Sequence, residues 1–270
     1  MDRRPIGVFD SGLGGLTSLR ELRKILPGED FIYFGDTGRV PYGSRGRETI
    51  LRYARQDVAF LRSFSPKAIV VACGTVSANA LEELQAENDL PIFGVIAPAA
   101  AAAAAATRNG RIGVIATAAS IRSGAYEKAL AALDPALEVC PLACPLFVPL
   151  VENGRFRPGD KVAELVAGEY LEPLRAKGVD TLILGCTHYP LLAGVIAGIM
   201  GPGVVLIDGG AACADAAAAR LAGQGLLNEN AAGSCRYFVS DSTQDFAHLA
   251  SLFLGETVEE AVERVEIAAD

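Results

Sequence analysis

Two stretches of the chain, IVVACGTVSA around Cys73 and LILGCTHYPL around Cys186, follow one plan: an apolar run, a small residue, a cysteine, then a threonine within two positions. A thiol at the end of a strand can attack as a nucleophile or exchange a proton. It works as the thiolate, which a cationic neighbour favours and apolar burial disfavours. His188 lies two residues from Cys186 and is one of only two histidines in the chain, His248 being the other. Free cysteine also packs as a small hydrophobe, so the two residues by themselves leave packing and chemistry both open. Position tilts the reading, because both cysteines end a strand-like run.

The elements that must position them show as short apolar runs: IGVFD, FIYFGD, AIVVACGT, PIFGVI, IGVIAT, TLILGCTH, VVLIDGG and RYFVSD. Between them lie helix-like segments such as LTSLRELRKIL and EKALAALD. This alternation predicts βα units on parallel sheets covered on both faces, an α/β fold. In open parallel sheets ligands gather at the carboxyl ends of strands. The runs here stop at Asp10, Asp36, Cys73, Thr117, Cys186 and Asp208. The repeated cysteine plan hints at duplication, which predicts two similar lobes with strand ends from each facing a shared cleft. The alanine run from Ala99 to Ala106 predicts an ordinary packed or exposed helix.

The 270 residues, 51% hydrophobic, suffice for a buried core without cross-links. A net charge of −8, with scattered Lys and Arg, lacks the basic footprint that a nucleic-acid partner requires. No apolar leader opens the N-terminus and no apolar run is long enough for a bilayer, so the expectation is a cytoplasmic chain without membrane contact. In that reducing compartment Cys73, Cys140, Cys144, Cys186, Cys213 and Cys235 are not read as a disulfide framework. Cys140 and Cys144, in CPLACPLF, have no second ligand pair and no nearby histidine, so no metal site is expected.

IGVFDSGLGGLTSL places a glycine-rich turn between a strand and a helix, as anion-binding loops do. The dinucleotide fingerprint is incomplete: after Gly12 and Gly14 the third glycine position holds Thr17, and Asp10 would repel a pyrophosphate. Asp36 could imitate a ribose-binding acid, which keeps a nucleotide reading open. In GDTGRVPYGSRGR, Pro41, Tyr42 and Gly43 read either as a plain turn or as one whose N–H groups capture a carboxylate.

Taken in order, GVFDSGLGGLT, DTGRVPYG, ACGTVSA, CPLFVPLVENG and LGCTHYP resemble the motifs of the glutamate racemases, in the cofactor-independent aspartate/glutamate racemase superfamily. The blocks run from the N-terminus through the last third of the chain, so the resemblance is global. It implies two pseudo-symmetric α/β lobes with mostly parallel sheets, divided as 1–96 plus 209–270 and 97–208, and an active site in the cleft between them. It implies Cys73 and Cys186 as the catalytic pair, with Asp10 supporting Cys73 and with Glu152 and His188 supporting Cys186. It places Asp10, Ser11, Pro41, Tyr42, Gly43, Gly74, Thr75, Thr117 and Thr187 around the substrate, glutamate. It further implies no cofactor, no metal, a homodimer, and a role in supplying D-glutamate for peptidoglycan.

One departure stands out. Where the family usually reads Cys-Asn-Thr, this chain has Cys73-Gly74-Thr75. The asparagine side chain normally helps hold the substrate, so the expectation is altered affinity, with a water in the vacated space. A racemase of aspartate or another small amino acid, and a non-catalytic binder of small dicarboxylates, stand as alternatives.

Inverting an α-amino acid means removing the Cα proton on one face and returning a proton on the other, which a pair of bases flanking the carbon does and a single base does not. Each thiol must be poised between protonation states by a neighbouring acid or base. The carbanion-like transition state needs oriented donors, expected from N–H groups at helix starts directly after Cys73 and Cys186.

Overall fold

The computed structural model describes residues 2–228, 231–244, 246–255, 258 and 262–267. Four strands come first: β1 (Ile6–Asp10), β2 (Phe31–Gly35), β3 (Ala68–Val71) and β4 (Ile92–Gly94). Four more follow, β5 (Arg111–Ala116), β6 (Glu138–Ala143), β7 (Thr181–Leu184) and β8 (Val205–Asp208), and the chain closes with β9 (Cys235–Val239) and β10 (Val262–Arg264). Every residue of β1, β2, β3 and β7 is buried, as their unbroken apolar letters require of strands covered on both faces.

Among the described residues all strand pairings are parallel and form two sheets, ordered β10-β9-β2-β1-β3-β4 and β6-β5-β7-β8. The duplication hinted at by the two cysteine motifs is thus written in topology. Each sheet begins with the same order of four (second, first, third, fourth), and the first sheet then gains β9 and β10 at the β2 edge. Cys73 follows the third strand of its set and Cys186 follows the third strand of the other; Asp10 ends one first strand and Thr117 follows its counterpart. In both sheets the strand order reverses between the first and third strands, which is where such sheets open a crevice for ligands.

One apolar core runs through both sheets by way of the helices Leu16–Ile25, Ile96–Ala106 and Gly209–Gly223. The alanine run is the packed kind of helix: Ala99, Ala100 and Ala103 are buried, as are Ala214 and Ala217 of the helix Gly209–Gly223 packed against it. A second core, around Phe9, Phe34, Tyr42, Val58 and Val76, fills the other face of the first sheet.

Two strands escaped the sequence reading. β6 carries Pro141 in its middle, which removes a ladder donor, and it sits accordingly at a sheet edge. β10 is only three residues long. The helix expected directly after Cys186 is also absent: Cys186 leads into a turn, then the 3₁₀ segment Tyr189–Leu192, and only then the helix Ala193–Met200.

Candidate active site

β1 and β3 deliver Asp10 and Cys73 side by side. Asp10 is 1% exposed; its Oδ2 accepts the Gly12 N–H at 3.1 Å, while Oδ1 is buried with no hydrogen-bond partner. Burial pushes the Asp10 carboxyl up, partly offset by the positive His188 and by the Gly15 and Gly12 N–H groups. Cys73 is N-cap of the helix Gly74–Asn79 and donates to Ser11 Oγ at 3.4 Å. Burial, then the Asp10 charge, pushes its thiol up to about 12, so it rests protonated beside a carboxyl with a spare oxygen.

β7 delivers Cys186. Its Sγ lies 3.8 Å from His188 Nδ1, and His188 Nε2 is 3.1 Å from Glu152 Oε1, at the end of the helix Phe147–Glu152. Burial pulls the imidazole pKa down, but Cys186, Glu152 and Asp10 outweigh it and hold His188 at about 10. The ring is therefore a cation at neutral pH, set against the Cys186 sulfur. The Thr187 hydroxyl is 3.4 Å from the same Nδ1.

Contacts between the lobes ring the two cysteines. Thr75 Oγ1 and Thr117 Oγ1 are 3.0 Å apart, and Thr117 also caps the helix Ala118–Ser123 by accepting the Ser120 N–H. Thr17 donates to the Thr187 carbonyl at 2.9 Å. A Cβ on Gly43 would stand 2.9 Å from Thr117 Cβ. A Cβ on Gly14 would meet the His188 ring at 2.6 Å, and one on Gly15 would meet Asp10 Cβ at 2.5 Å. The glycine-rich turn is therefore no phosphate cradle. It is thin because the His188 ring presses on it from one side and Asp10 from the other.

The Pro41–Gly43 segment arrives after a cis Val40–Pro41 bond and enters the 3₁₀ turn Tyr42–Ser44. Pro41 is exposed, but the Tyr42 ring is buried and its hydroxyl is spent on Asp36 and, at 3.2 Å, on Asp57. The Tyr42 side chain thus anchors the turn, and only its backbone is left for a ligand. Asp36, read as a possible ribose acid, is fully buried and tied to Tyr42, to Arg39 at 2.6 Å and to Ser240 at 2.7 Å. Gly74 brings a second correction. The space expected to hold a water is taken by the Gly185 carbonyl, which a Cβ at Gly74 would overlap.

Sequence reasoning missed Thr17, Gly15, Arg39, Asp57 and Gly185. Thr17 was visible only as the residue that spoils a dinucleotide fingerprint; Asp57 carries no local signal, since its partners Arg39 and Tyr42 lie in another segment, and Arg39, paired locally with Asp36, meets Asp57 only in the fold.

The Tyr189 N–H, among the donors expected after Cys186, is spent on the Cys186 carbonyl at 3.0 Å. Oriented donors at that cysteine therefore come from a turn, whereas Cys73 has a true helix start.

With this geometry in hand, comparison with known proteins is specific. A family described as Asp/Glu/hydantoin racemase matches residues 17–217. The glutamate racemase of Geobacter metallireducens is 50% identical over 256 residues, 94% of this chain and 94% of that protein. The structure superimposes on a glutamate racemase isoform from Bacillus anthracis with a TM-score of 0.94 at 40% identity, covering 99% of each chain. A glutamate racemase from Francisella tularensis, solved in complex with D-glutamate, gives a TM-score of 0.91 at 39% identity over 99% of each chain. The chain belongs to the Asp/Glu/hydantoin racemase family and, within it, to the glutamate racemases.

Proposed function

We propose that this chain interconverts L-glutamate and D-glutamate by passing protons to and from Cα between Cys73 and Cys186, as a cofactor-independent isomerase supplying D-glutamate for peptidoglycan. The observation that carries the reading is the pair of cysteines on equivalent strand ends of two like sheets, each with its own acid–base partner, in a chain half identical to glutamate racemases.

In one direction the Cys186 thiolate, beside the His188 cation, takes the Cα proton while the Cys73 thiol gives its proton to the opposite face. That leaves a Cys186 thiol and a Cys73 thiolate, whose charge lies next to Asp10. Proton exchange through Asp10 and His188 restores the starting state. In the other direction Asp10 first accepts the Cys73 proton through its unpartnered oxygen and the His188 cation gives its Nδ1 proton to the Cys186 thiolate. The Cys73 thiolate then takes the Cα proton and the Cys186 thiol returns one to the opposite face. Negative charge building on the substrate carboxylate is met by N–H groups at the start of the helix Gly74–Asn79. Ser11, Thr75, Thr117 and Thr187 supply hydroxyls, and Pro41, Tyr42, Gly43 and Gly74 supply backbone.

The lobes run as 1–96 with 209–270, and 97–208; the strands of each sheet falling within those ranges support this. The enzyme works as a cytoplasmic homodimer, a reading supported by the family resemblance. Among the described residues no helix is long and apolar enough to cross a membrane.

Incubation in deuterated water tests the scheme. The wild-type protein should place deuterium on Cα of both glutamate enantiomers, and Cys73→Ala and Cys186→Ala should each abolish racemisation. Normal turnover by either variant would refute two-thiol transfer.

A further inference from the structure

Gly74 follows one catalytic cysteine and Gly185 precedes the other, and the two meet across the lobes. A Cβ on Gly74 would overlap the Gly185 carbonyl oxygen, stand 3.3 Å from its carbon and lie 3.9 Å from Cys186 Cα. Gly185 has nowhere to retreat. Its N–H donates to the Ile115 carbonyl at 2.7 Å, and its own Cβ position is closed off by Ile115 O at 2.8 Å, the Tyr126 hydroxyl at 2.9 Å and Ala116 Cβ at 3.0 Å. Ile115, Ala116 and Tyr126 are all fully buried. The crevice at this junction, lined by Thr17, Gly74, Gly185, Cys186, Thr187 and Asp208 among others, measures about 10 Å³, the lower limit for a single water.

We propose that Gly74 is a positioning residue for the racemisation: by meeting Gly185 backbone to backbone it sets how near the two cysteine-bearing strand ends come when the lobes close. This rests on the glutamate racemase reading above. Because the Gly185 side is closed in, a side chain at position 74 in this chain pushes the helix Gly74–Asn79 away from Gly185 and so parts the lobes. Restoring ordinary contact takes about 1 Å, and a misplacement of that size costs on the order of 10²-fold in rate. The alternative, that Gly74 is merely a missing substrate contact, has the opposite sign, since an asparagine there would then improve binding.

The experiment compares wild type, Gly74→Ala and Gly74→Asn by initial rates in both directions and by amide hydrogen exchange over residues 181–187, with melting curves as the check on folding. Both variants should lose roughly 10- to 100-fold in kcat with KM changed by less than about threefold, and exchange at Gly185 and Cys186 should rise. A Gly74→Asn enzyme with wild-type kcat or a lower KM would overturn the proposal, as would unchanged exchange. If Gly74→Asn does not fold, Gly74→Ala decides the matter. A wild type unable to racemise glutamate would bring down the functional reading alone, because the exchange comparison still tests the contact.

Discussion

At Cys186 the sulfur faces an imidazole whose far nitrogen is held by Glu152, a carboxylate that is 50% exposed. An ion pair so open to water is worth under about 1 kcal/mol, so Glu152→Gln should lower the His188 pKa by less than about one unit. On the proposed mechanism the His188 cation sets the alkaline limb, and a pH–rate profile reads this as a small acidward shift of that limb. A collapse of activity at every pH would instead place Glu152 in contact with substrate. Both cysteines were legible because a small residue and a threonine bracket each of them at the end of an apolar run. Asp57 was not. It lies within the amphipathic helix Arg47–Arg62 and reads as solvated surface, yet it is fully buried, and burial and the nearby Asp36 charge raise its pKa well above the carboxylate range. Its reason for being there, the Tyr42 hydroxyl and the Arg39 guanidinium, comes from a different segment.

Among the elements, the glycine-rich turn after β1 shows how local pattern misleads. Its spacing resembles a phosphate loop, but thinness is required by His188 and Asp10 pressing from two sides. Gly14→Ala should therefore displace the His188 ring and lower kcat more than about tenfold, given what small misplacements cost, while the melting temperature stays within a few degrees. Steady-state rates beside a melting curve check this, and an unchanged kcat would show that the turn yields instead. Most strands were legible from their apolar runs. β6 was hidden by Pro141, and the turn after Cys186 was hidden because Thr, His, Tyr and Pro satisfy a helix start as well as a 3₁₀ turn. Neighbours in space, which letters do not record, made the choice.

For the whole molecule, His188 ties stability to pH. Its pKa is raised from 6.5 to about 10, so below pH 6.5 its stabilising contribution is fully present. As pH rises towards 10 the native state holds a proton that the unfolded chain has released, and that contribution is lost at up to ~1.4 kcal/mol per pH unit. Urea midpoints at pH 6.5 and 8.5 should fall for wild type and fall less for His188→Gln; equal slopes would show the ring to be neutral. That window lies below the range where the buried thiols of Cys73, Cys144 and Cys213, pushed up to about 12, add a loss of the same sign. The matching order of four strands in the two sheets was foreshadowed only by two cysteine motifs, because pairing order is a property of the folded sheet. The likeness of the two sheets stops at the sulfurs, one backed by a carboxyl and the other by an imidazolium. Mirror-image forms of one molecule have equal free energies, so the Haldane relation fixes kcat/KM at the same value from either side. That inequality of partners can therefore surface only as a matched skew of turnover and saturation, with the enantiomer that saturates at lower concentration also the slower one at saturation.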